Sequence, residues 1–249
     1  MLKKLKSALK NPTLQSLLKA GIIGILLFFG PLGWLGKIGF VALVGYFFLP
    51  IGQFWASLAV FLAVSLMASQ WSFGSLGFLG FGAFSLFFAL IFFLMLGIKN
   101  LIFINRNPYY HFLNNALFLL VFLVFFTENK FSFISVGHLA VFGACFLLFK
   151  EFFNFVSRLE ANKLQIMPLK ANLLAFGLAF MVFQAMSGVI LLPIGFLNAS
   201  ALMLLLVLVF KDLTVNYLAG FLNRAVILKN ITLFMIFSLI IFAASKWSL

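Results

Sequence analysis

The chain has 249 residues, 65% of them apolar and only 8% charged, with 38 Phe and a formal net charge of +13. An ordinary soluble domain carries about 25% charged residues, and a soluble fold of this length has too little interior to hide so much apolar surface. The composition therefore excludes a soluble globular protein and implies a polytopic membrane protein whose surplus apolar surface faces lipid. A membrane-spanning barrel would show stretches of roughly ten residues alternating apolar and polar. Here runs such as ALFLLVFLVFF (116–126) and ALMLLLVLVF (201–210) are continuously apolar, so the spans are helical. The basic residues are dispersed in short segments between apolar runs. That pattern argues against nucleic acid as a partner and for membrane lipids, with topology set by the positive-inside rule.

Residues 1–19 place Leu2, Leu5, Leu14, Leu17 and Leu18 among Lys3, Lys4, Lys6, Lys10 and Lys19. This basic, partly amphipathic segment suits an anionic membrane surface, and Pro12 interrupts it. No small-x-small cleavage pattern follows, so the next apolar stretch reads as an uncleaved first span. Residues 20–249 form a single transmembrane helical domain, with apolar runs at 20–35, 38–50, 53–69, 77–98, 112–127, 131–149, 171–190, 195–210 and 230–246. The expected fold is an all-α bundle of seven to nine spans. The first two segments, rich in Gly and closed by Pro31 and Pro50, are either short crossing helices or a re-entrant hairpin. With nine spans and the N-terminus inside, only Lys37, Lys130 and Lys246 of the 17 Lys+Arg fall outside. If 20–50 crossed once, the five N-terminal lysines would move outside and the bias would vanish. The charge pattern thus predicts N inside and C outside.

Four polar features follow in chain order. NRNPYYHFLNN (105–115) gathers Arg106, Tyr109, Tyr110 and His111 at the inner face. These residues suit a headgroup-level belt and a helix start, or the mouth of a substrate path. His138 and Gln184 are the polar residues inside predicted spans. They read as interhelical hydrogen-bonding groups or, if they share a cavity, as its polar lining. KEFFNFVSRLEANK (150–163) holds Glu151 and Glu160, two of the four acids. With Phe152, Phe153, Val156 and Leu159 on one side and Glu151, Asn154 and Arg158 on the other, it reads as a helix extension whose charges face water. KDLTVNYLAGFLNRAVILK (211–229) reads as an interfacial helix, with Lys211 and Asp212 at a span end. On this reading no ionisable residue lies mid-span, which removes the usual mark of ion-coupled carriers.

Chemistry-bearing motifs are absent. There is no H-E-x-x-H, no G-x-S-x-G, no phosphate-cradling loop, and one Asp in the whole chain. The expectation is a protein without cofactor or metal and without catalytic residues. Cys145 lies in an apolar run (VFGACFLLF) and, as the single cysteine, forms no disulfide within the chain.

The C-terminal stretch from LLPIGFLNASALMLLLVLVFKDL through NYLAGFLNRAVILKN to the closing Lys246–Trp247 pair resembles uncharacterised multi-pass membrane proteins of candidate-phyla bacteria with small genomes. That resemblance implies architecture and carries no activity. Three functions are open to such a chain: a non-catalytic subunit or scaffold binding other membrane proteins or lipids, a channel or carrier for a neutral or lipid-like substrate, and a membrane enzyme.

Overall fold

The computed structural model describes residues 11–29, 33–49, 54–69, 73–128, 136–159 and 168–245. Among them are nine helices and no strand: α1 Pro12–Phe28, α2 Trp34–Phe48, α3 Trp55–Ala68, α4 Phe73–Lys99, α5 Arg106–Glu128, α6 Val136–Leu159, α7 Pro168–Val189, α8 Phe196–Leu218 and α9 Arg224–Ala244. Six of these, α4 to α9, are long and apolar enough to cross a membrane, and α1 to α3 are shorter apolar helices. The protein is a polytopic helical membrane protein, as its composition predicts. The chain divides into two compact units, Met1–Leu117 and Phe118–Leu249.

In the first unit Pro12 starts a helix, after Asn11 in extended conformation. It occupies the first turn of α1, where its missing N–H costs nothing, and the Asn11 side chain accepts from Thr13 N at 3.2 Å. The helix runs unbroken through residues 19 and 20. Helix α1 lies antiparallel along α4. The Asn100 amide reaches Ser16 Oγ at 3.5 Å at one end, and the Phe28 ring covers Gly82 at the other. Between them Gly24 sits so close to α4 that a Cβ there would stand 2.8 Å from the Ala89 Cβ. This is the small-residue packing that lets helix backbones approach in lipid. Helix α1, 17 residues and about 25 Å long, thus covers the axial range of the α4 apolar stretch Gly82–Lys99. Helix α2 returns to the same end, where Phe47 meets Lys19. Helix α3 packs on α4 through Phe61, whose ring lies 5.8 Å from Phe88 and 5.5 Å from Phe92.

Helix α4 ends in a six-to-one turn. Ile102 N–H donates to the Gly97 carbonyl at 3.0 Å, and Leu101 takes the left-handed conformation at φ 59°. Glycine normally holds this position, and leucine there is strained. The same turn closes α8 with the expected residue, Gly220 at φ 73°, and Phe221 N–H donating to the Asn216 carbonyl at 2.9 Å.

In the second unit α6 and α7 are antiparallel, with Phe142 against both Phe176 (5.5 Å) and Phe183 (6.2 Å). Helix α7 packs on α8, and α8 forms a hairpin with α9. The extension past residue 149 is helical to Leu159, and Phe152, Phe153 and Val156 are buried as predicted. Glu151 is a correction: it is buried, only 6% exposed, and does not face water. Glu160 lies outside the described residues. A second correction concerns 211–229, which is not an interfacial helix. Helix α8 continues through Lys211 and Asp212 to Leu218, because nothing before Gly220 breaks it.

Candidate functional site

The most unusual side chain of the second unit is Lys211. It lies four residues from the centre of the 196–218 span, about 6 Å along the helix, and is 5% exposed. On α8 the buried positions Ala199, Met203, Val207, Lys211 and Thr214 recur at helical spacing, so the lysine stands on the core face. Its ammonium sits over two rings, Phe118 of α5 at 4.6 Å and Phe152 of α6 at 4.8 Å. Cys145, fully buried on α6, is within electrostatic range. The butyl stem packs among apolar groups while the cation meets ring faces, which replaces part of the hydration lost on burial. Glu151 lies a similar distance from the centre of its own span, 137–158.

The neighbouring Asp212 points the other way. It is exposed, and its carboxylate accepts from Asn230 Nδ2 at 2.7 Å, tying α8 to α9. The Asn230 amide also donates to the Val226 carbonyl at 3.0 Å. Lys211 and Asp212, adjacent in sequence, therefore serve different faces of α8.

The residues predicted from sequence are distributed otherwise. His138 is buried on the α6 face that also carries Cys145 and Phe152. Its ring meets Phe125 edge-on at 4.8 Å and Phe183 at 6.2 Å. Gln184 is exposed on α7, so the structure does not bring these two residues into one lining. Arg106, Tyr109, Tyr110 and His111 lie within the first turns of α5, in the first unit. Tyr110 is fully buried with its ring 5.7 Å from Phe54, and Tyr109 is exposed and stacked on Phe103 at 4.1 Å. Arg106 and His111 are half-buried. Tyr110 is thus a core residue, and Tyr109 alone of the two tyrosines has the exposure of a headgroup-level ring.

Sequence reasoning missed Lys211 and Glu151 because it ended each span at its first charge. The signal that finds Lys211 is its register: it falls eight residues after Met203 and four after Val207, on the apolar stripe. Among the described residues no three His, Cys, Asp or Glu side chains group as metal ligands do. The site as built is an electrostatic one, a cation held by π-faces at membrane depth. No protein-family model, curated protein or solved structure matches the chain.

Proposed function

We propose that the protein is a non-catalytic membrane subunit or scaffold that binds other membrane proteins or lipids, in a bacterial cytoplasmic membrane with its N-terminus inside and C-terminus outside. The observation that carries the reading is α9. Only 11% of its most apolar 18-residue stretch is buried within the chain, against 67% for that of α5. Ile231, Met235, Ile236, Leu239 and Ile240 are exposed and apolar, and the helix is held chiefly by the Asp212–Asn230 bond and its packing on α8. Such a helix presents most of its circumference to whatever surrounds it in the membrane. A photo-crosslinking residue at Ile236 in native membranes, with one at buried Phe122 as control, tests this. A discrete protein adduct at Ile236 and none at Phe122 is expected. Lipid adducts alone at Ile236 would refute the protein-binding role.

One observation favours a second reading, a carrier. Lys211 and Glu151 are ionisable residues buried close to mid-span, and such residues mark ion and substrate paths. Flux through proteoliposomes that disappears in Lys211→Met would favour the carrier over the scaffold.

A further inference from the structure

The first unit, residues 1–117, carries eight Lys+Arg and not one Asp or Glu. Every cation in it must find its counter-charge elsewhere. Two of these cations are drawn together at one end of the unit. Lys99 ends the apolar stretch of α4, and its ammonium donates to the Phe48 carbonyl at the end of α2 and lies 4.5 Å from the Phe48 ring centre. Lys19, from α1, lies 5.5 Å from the ring centre of the adjacent Phe47. Both lysines are half-buried, and each is within range of the other's charge. The Ser16–Asn100 contact locks α1 to α4 at this same level.

Two ammonium groups over adjacent rings, in a unit without a carboxylate, favour an anion beside them. The α2 carbonyl occupies one N–H of Lys99 and leaves two for another acceptor. The position, at the end of an apolar stretch between packed helices, is where basic clefts take lipid headgroups. We infer that Lys19 and Lys99 form a binding site for the phosphate of an anionic phospholipid. Charge complementarity selects the anionic lipid: a zwitterionic headgroup brings its own cation to a place that already holds two. Acyl chains would lie along the exposed apolar faces of α1 and α2, where Leu18, Ile22 and Val41 are open. The site goes beyond the subunit reading and does not depend on what covers α9.

The test uses the full chain purified in detergent, with binding of phosphatidylglycerol, phosphatidylcholine and inorganic phosphate read by native mass spectrometry. Lys19→Gln is the informative variant, because Lys99 also caps α2. Phosphatidylglycerol affinity is expected to fall about fivefold on loss of one charge, with Lys19→Arg restoring it. Lys37→Gln, in the first turn of α2 at the opposite end, is expected to leave it unchanged. Equal losses in Lys19→Gln and Lys37→Gln would overturn the site in favour of diffuse attraction. Equal binding of phosphatidylcholine would overturn the charge argument, and occupancy by inorganic phosphate that excludes the lipid would overturn the lipid assignment. A thermal midpoint for Lys19→Gln matching the parent separates lost binding from lost fold. If that midpoint falls, Lys19→Arg decides, since failure of a folded arginine variant to bind would also overturn the site.

Discussion

Replacing Lys211 by methionine keeps an unbranched side chain of similar length on α8 and removes only the charge. Two cation–π contacts, at 4.6 and 4.8 Å, are lost; desolvated contacts of this kind are worth about 2 kcal/mol each. Against this, the ammonium no longer has to be stripped of water, which returns several kcal/mol. The terms oppose one another, so Lys211→Met is expected to be the milder of two substitutions at this position. Lys211→Ala loses the same contacts and also empties the space between Phe118 and Phe152. It is expected to lie about 2–5 kcal/mol below the methionine variant. Reversible unfolding in mixed micelles, followed by helicity as the denaturing detergent fraction rises, measures both. If Lys211→Met proves as damaging as Lys211→Ala, by more than about 3 kcal/mol, the reasoning fails.

Two further predictions rest on backbone geometry. Gly24→Val is expected to cost about 1–3 kcal/mol in the same unfolding assay, because even a Cβ would collide with Ala89, whereas Gly21→Ala, with open space around it, should be neutral or stabilising. Leu101→Gly should stabilise by relieving a left-handed leucine, and Gly220→Ala should destabilise by about 1 kcal/mol, so the two thermal midpoints are expected to move in opposite directions.

Much of the architecture was legible in the chain because lipid imposes a simple demand. A continuous apolar run has to be helical when no water is present to satisfy its backbone. Over their described residues, runs 77–98, 112–127, 131–149, 171–190, 195–210 and 230–246 coincide with long helices to within a residue or so at their ends, and the spacing of Phe152, Phe153 and Val156 places them correctly on a buried face. Helix ends were harder. The helix extension past 150 is as expected, but its burial of Glu151 is not, and at 211 the helical backbone has no reason to stop at a lysine, so α8 runs on for two turns. The polar pair His138 and Gln184 shows a second limit. Both were found as polar residues within spans, but one turns to the Phe125 edge and the other outward, a difference set by neighbouring helices that neither local run contains.

Composition and charge alone determined that this is a helical membrane protein, because the apolar excess has no soluble solution. Tertiary structure alone decided which charges are sealed and which are open. Lys211 and Asp212 are neighbours in sequence, and a helix turns them about 100° apart. One is carried to the rings of Phe118 and Phe152, the other to Asn230 of α9. Lys19 and Lys99, eighty residues apart, reach the adjacent rings Phe47 and Phe48, in a unit where Gly24 lets α1 lie directly against α4. A cation's environment depends on what packs against it, and that information is spread over helices far apart in the chain.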